Sequence, residues 1–287
     1  MTDDNVNRYV RFTHADDTSY GLLDGEVVHQ FEGDLFDDPR PSGRTYLLSD
    51  VTLGLPLDPT RVQKVLGVGA NYNDPALAPR YSPHPRWFTK LPSALNGHDA
   101  DVDLPSHATN FNFEGELALI IGKEARHVSL EDAASHIFGV TVGCDWSENT
   151  WFLEREGIEE PSRLVAKSVD TWACLYPVIH QGLDYSDLQI EIRMNGVPVA
   201  RGRTSNMTNS AAYLVHYLSQ FVTLKPGDVI YTGTVAPASF ADTRRQMQDG
   251  DVIEVEIENI GSLRNTVRAM TQRGASFHHP RTRHETT

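Results

Sequence analysis

Residues 110–122 read NFNFEGELALIIG and carry the alternation of a β-strand with two acids on one face. Side chains along a strand point to opposite faces in turn. Phe111, Phe113, Leu117, Leu119 and Ile121 therefore share an apolar side, while Glu114, Glu116, Ala118 and Ile120 share the other. Two residues apart, the glutamates leave the backbone about 6–7 Å from each other, and their tips can come closer. The Ala and Ile that follow on the same face argue for partial burial rather than a solvated strand face. Buried carboxylates require protons, cationic partners or a metal ion.

A third acid, Asp145, ends the apolar run VTVGCD, which reads as another strand. Three carboxylates with no paired histidines and no cysteine-based site favour Mg²⁺, Mn²⁺ or Ca²⁺ over zinc. Lys167, in AKSVDT, reads as a surface lysine taken alone; beside a polarised substrate it could stabilise developing negative charge. YTGT, Tyr231 to Thr234, reads either as a turn or as a place where backbone and hydroxyl donors meet a carboxylate.

The chain has 287 residues and a formal charge of −14, which argues against a basic nucleic-acid-binding surface. Cys144 and Cys174 are the only cysteines, too few for a disulfide framework. MTDDNVNRYVRF lacks the apolar core of a secretory signal, and no run reaches transmembrane length. The expectation is a cytoplasmic protein with neither membrane nor nucleic acid as partner.

Residues 1–60 read as a small β-rich domain, with DDPRPSGR as a loop. KVLGVGANY is a strand, and Tyr72 stands where a dinucleotide fingerprint needs its third glycine. Prolines in the stretch from Asn73 to Phe88 forbid regular structure. SLEDAASHIFG reads as a helix capped by Ser129 and stopped at Gly139. LQIEIRMNGVPVAR is a hairpin turned at Asn195-Gly196, and NSAAYLVHYLSQF is the clearest amphipathic helix. Residues 61–271 form the main unit, and 272–287 read as a mobile tail. The pattern is strand-rich α+β rather than alternating βαβ.

Seven stretches, KVLGVGANYND, LPSALNG, FEGELALIIGK, GVTVGCDWS, KSVDT, LKPGDVIYTGT and GDVIEVEIENIGSLRN, occur in the order found in the fumarylacetoacetate hydrolase superfamily, which the chain resembles over roughly residues 64–268. The first 60 residues resemble the small N-terminal domain of many bacterial members. The resemblance implies a mixed β-sandwich roll around the site, usually in a homodimer. It implies Mg²⁺ or Mn²⁺ held by Glu114, Glu116 and Asp145, and a 2-oxo or β-diketo acid as the small-molecule carboxylate substrate. Lys167 matches the lysine that stabilises an enolate or oxyanion. Thr234 matches a position contacting the substrate carboxylate, with Gly233 and Tyr72 beside it as substrate-binding candidates.

The chain also departs from the family pattern. Where many members carry a His–Glu pair that activates water, this sequence has Pro75 and Ala78. The family's S-x-R-D becomes SENT, with Asn149 and Thr150 at the changed positions. His84 and Asp74 are the first candidates for a replacement base, with His98 and Glu148 behind them. Hydrolytic C–C cleavage is the family default. Tautomerisation, decarboxylation or dehydration is the alternative that needs no activated water, and an inert metabolite-binding relative is a third.

Overall fold

A computed structural model describes residues 6–73, 84–106, 108–152, 163–235 and 246–270. The chain opens with four strands, β1 (Asn7–His14), β2 (Asp17–Asp24), β3 (Val27–Asp34) and β4 (Asp37–Leu47), followed by the short β5 (Thr52–Leu53). DDPRPSGR is not a loop but part of β4, whose residues are largely exposed. Strand β4 lies at the end of its sheet, and an edge strand tolerates prolines because one row of its N–H groups has no ladder partner to lose.

Next come β6 (Val65–Gly69) and β7 (Arg86–Lys90), so regular structure resumes at Arg86, inside the stretch expected to be irregular. Asp74, Pro75 and Ala78 lie outside the described residues, as does the expected tail. The short strands β8 (Leu95–Asn96) and β9 (Asp101–Leu104) lead to β10 (Phe111–Ile121). Helix α1 (Leu130–Ala133) has Ser129 as N-cap, its hydroxyl accepting from the Asp132 amide. That helix is shorter than expected: a 3₁₀ turn ends at His136, and Gly139 already belongs to β11 (Ile137–Glu148). Asp145 therefore stands within β11 and not at its end.

The remainder comprises α2 (Arg163–Ser168), β12 (Ala173–Leu175), β13 (Val178–Gln181), the hairpin β14 (Gln189–Met194) and β15 (Val197–Arg203), α3 (Ala211–Ser219), β16 (Val229–Thr234), β17 (Val252–Ile257) and β18 (Gly261–Ala269). Asn195 and Gly196 turn the hairpin with φ of 53° and 76°, the left-handed pair that matches strand twist. Among the described residues no helix is long and apolar enough to cross a membrane.

Two sheets result. The larger runs β4-β3-β2-β1-β13-β11-β10-β16-β6-β7, and the smaller runs β15-β14-β17-β18-β9. The strands of the first 50 residues thus continue the large sheet through the β1–β13 pairing. The odd face of β10 enters the core against the smaller sheet, where Leu117, Leu119 and Ile121 join Ile192 and Val255. Each such fully buried side chain contributes about 1.5–3 kcal/mol. A Cβ on Gly115 would fall 2.7 Å from Val255 Cγ1 and 2.8 Å from Ile192 Cγ1. The glycine between the two glutamates is therefore what lets the second sheet approach this closely. Ala118 and Ile120, on the even face, belong to a separate core with Tyr231 and Val229.

Candidate active site

Strand pairing brings the acids together. In the antiparallel β10–β11 register, Glu114 stands directly opposite Asp145, so their side chains share a face, with Glu116 two residues along the same side. On the other flank of β10, Glu116 is opposite Thr234 of β16. Each of the three acids offers an oxygen within 4.8 Å of the others. Glu116 and Asp145 are buried, while 26% of the Glu114 side chain is exposed.

Two buried lysines face the acids. Lys167, from α2, donates to Glu114 Oε2 at 2.6 Å and to Asp145 Oδ2 at 2.5 Å, with its Nζ 4.6 Å from the centroid of the Phe88 ring. It is not the surface lysine that its local sequence suggests. Lys90, at the end of β7, donates to Asp145 Oδ1 at 2.5 Å and to the Trp146 carbonyl at 2.9 Å. Lys90 escaped the sequence reading; its one local signal is alternation, which sets it on the same side of β7 as Phe88.

Burial pushes Glu116 well above the ordinary glutamate range, and the neighbouring Asp145 and Glu114 charges push it further. Burial also raises Glu114, against the pull of Lys167. Burial would raise Asp145 as well, but the two ammonium groups outweigh it and hold this carboxyl below its usual value. Lys167 is opposite in sense: desolvation works against its charge, yet Asp145 and Glu114 hold its pKa above the ordinary lysine value. For Lys90 desolvation prevails, and its pKa is lowered. Three acids face two lysines, so the acids are in formal excess by one. That excess, with a donor set of hard oxygens, fits a divalent cation such as Mg²⁺ or Mn²⁺.

Gly233 is bound into the same cluster. Its N–H donates to Glu116 Oε2 at 2.5 Å, its φ is +100°, and a Cβ would lie 2.9 Å from Asn71 Cβ and 3.0 Å from the Val68 carbonyl oxygen. Asn71, fully buried, donates to the Thr232 carbonyl at 2.8 Å and accepts from the Asn209 amide, tying the segment after β6 to β16. Thr234 is partly exposed at the end of β16, and Tyr72 is buried with its hydroxyl 3.5 Å from Thr232 Oγ1.

Asp74 lies outside the described residues, and the other base candidates make contacts of their own. His84 is exposed, with its ring 5.8 Å from that of Tyr217 on α3. His98 accepts from the Arg264 amide and packs edge-on against Tyr176. Glu148 is buried, but both its oxygens accept from the Asn110 amide, a structural use at the end of the β10–β11 ladder. Asn149 donates its amide to the Asn110 carbonyl in the same corner.

A strand-rich mixed fold around an acid triad braced by two buried lysines defines an enzyme class built on oxygen donors. More narrowly, the chain belongs to the fumarylacetoacetate hydrolase family: the fumarylacetoacetate (FAA) hydrolase C-terminal model matches residues 64–268, and an Rv2993c-like N-terminal model matches residues 7–56. It is 32% identical over 272 residues to Protein Rv2993c of Mycobacterium tuberculosis, covering 91% of this chain and 97% of that protein. It is 35% identical over 227 residues to the human mitochondrial oxaloacetate tautomerase FAHD2A, covering 76% of this chain and 70% of the relative. The crystal structure of a 2-hydroxyhepta-2,4-diene-1,7-dioate isomerase from Mycobacterium marinum superposes with a TM-score of 0.80 at 30% identity, covering 93% of this chain and all of that one.

Proposed function

We propose that the protein is a divalent-cation-dependent tautomerase of a 2-oxo acid of the oxaloacetate type. One observation carries the reading: an acid triad and a buried lysine converge, while the chain has Pro75 and Ala78 where hydrolytic members have their water-activating pair. Neither of those side chains can take a proton. Hydrolytic C–C cleavage, the family default, requires such a group, and general-base loss costs about 100- to 10,000-fold. The relatives support the same direction, since one is named a tautomerase and another an isomerase.

In this reading Glu114, Glu116 and Asp145 hold the cation, which when bound supplies Lewis-acid polarisation of the 2-oxo acid. Lys167 keeps a proton on Nζ and donates it as a hydrogen bond to the oxygen at C2, where negative charge gathers as the C3 proton leaves or arrives. Lys90 holds Asp145 in one orientation. Gly233 does the same for Glu116, and the partly exposed Thr234 orients the substrate carboxylate. Tautomerisation moves one proton between the C2 oxygen and C3, so no water adds and no C–C bond breaks. The exposed side of Glu114 leaves the site open to solvent for that exchange.

The test is the rate at which the enol of oxaloacetate converts to its keto form, followed by ultraviolet absorbance with Mg²⁺ present. The wild type is expected to accelerate it, and Lys167→Met to lose about 100-fold or more, as when an oxyanion donor is removed. Incorporation of oxygen-18 from labelled water into cleaved acylpyruvate products, without enol–keto acceleration, would instead favour the hydrolase.

A further inference from the structure

The polar face of the large sheet does not stop at the acid triad. Two register positions beyond Glu114 and Asp145, the opposed pair is Asn112 and Ser147. Directly opposed residues on antiparallel strands share a face, and positions two apart on one strand share it as well. Asn112, Glu114 and Glu116 on β10 thus form one row with Ser147 and Asp145 on β11. Both added residues are buried, Ser147 completely and Asn112 to 9% exposure. Among the described residues the Ser147 hydroxyl has no hydrogen-bond partner.

A buried hydroxyl left without a partner costs about 1–3 kcal/mol, so this one calls for a ligand. Two residues along a strand advance about 6.6–6.8 Å, which sets the pair about that far from the Glu114–Asp145 row. In a four-carbon 2-oxo diacid, two carbons separate the carboxylates. With its 2-oxo end at the triad, the far carboxylate extends toward the next row. The donors needed there must not already be committed to the acids. Lys90 is engaged by Asp145 and Trp146, and Lys167 by the acids and the C2 oxygen, whereas the Ser147 O–H is not engaged by any described residue.

We propose that Asn112 and Ser147 form the subsite for the second carboxylate of a four-carbon 2-oxo dicarboxylic acid, with the Asn112 amide and the Ser147 hydroxyl donating to it. This deepens the tautomerase reading and rests on it for the placement of the 2-oxo end. An acid lacking the second carboxylate leaves both donors unpaired, and discrimination follows from that loss.

Pyruvate and oxaloacetate differ only in this carboxylate, which makes them the probes. Calorimetry on the full chain with Mn²⁺ measures both affinities. A hydrogen bond to a charged group corresponds to about 10- to 100-fold in affinity. The wild type is expected to prefer oxaloacetate by at least that lower factor. Ser147→Ala and Asn112→Ala should each reduce the preference while leaving pyruvate and Mn²⁺ affinities unchanged. Ser147→Ala should unfold at the wild-type temperature or above, because it removes an unpaired hydroxyl. Equal affinity of the wild type for the two acids overturns the subsite, and so does a Ser147→Ala variant that weakens both acids alike. Selective binding without enol–keto acceleration leaves the subsite standing and counts against the tautomerase reading alone.

Discussion

Replacing Lys90 with Met tests whether the acid cluster is held together electrostatically. Met matches the length and volume of the lysine stem but brings no charge. In the wild type the ammonium is wholly buried and satisfies Asp145 Oδ1 and the Trp146 carbonyl at once. Removing one partner of a buried ion pair costs about 3–5 kcal/mol, because the other charge stays desolvated. In a protein of this size that corresponds to a melting temperature lower by about 6–10 °C. The assay is thermal unfolding of the metal-free chain, followed by circular dichroism, with urea unfolding as a check. Lys90→Met/Asp145→Asn should recover about 2 kcal/mol relative to the sum of the single changes, since the neutral amide no longer needs the ammonium. Mn²⁺ should raise the melting temperature of Lys90→Met more than that of the wild type, because the cluster left behind is more negative. A Lys90→Met protein melting within about 2 °C of the wild type, or single-variant costs that simply add, would refute the electrostatic reasoning.

Three further outcomes follow from the same geometry. Glu116→Gln should weaken Mn²⁺ binding about 100-fold or more in calorimetry; unchanged binding would remove Glu116 from the ligand set. Gly233→Ala should lower stability by about 1–3 kcal/mol in urea, because the residue sits at φ +100° with Asn71 and Val68 against the new methyl group; a midpoint equal to the wild type would show that the turn relaxes at no cost. His180 is 6% exposed, and burial, reinforced by Arg8, lowers its pKa from 6.5 to about 4. The unfolded chain therefore binds a proton that the folded protein refuses: stability is complete above pH 6.5 and falls as pH drops toward 4, by up to about 3 kcal/mol. His180→Leu should flatten the stability curve between those limits, and an unaltered slope there would assign the acid sensitivity to other groups.

Local chemistry made part of this protein legible. The alternation in NFNFEGELALIIG put Glu114 and Glu116 on one face and the apolar residues on the other, and the two cores on either side of β10 follow it. Asn195-Gly196 and Ser129 announced a turn and a cap by their own conformational preferences. Other readings failed where an element's setting overrode its composition. The prolines of β4 are tolerated because that strand lies on an edge, and Gly139 continues a strand because its neighbours supply the ladder.

The sequence by itself determined which side chains alternate along each strand, because pleating is a property of neighbouring peptide units. Only the tertiary structure decided the register that sets Glu114 opposite Asp145, the arrival of Lys167 from α2 and Lys90 from β7, and the burial of Ser147 with no partner among the described residues. Those are distances between residues tens of positions apart. They depend on how whole strands and helices pack, which no local pattern encodes.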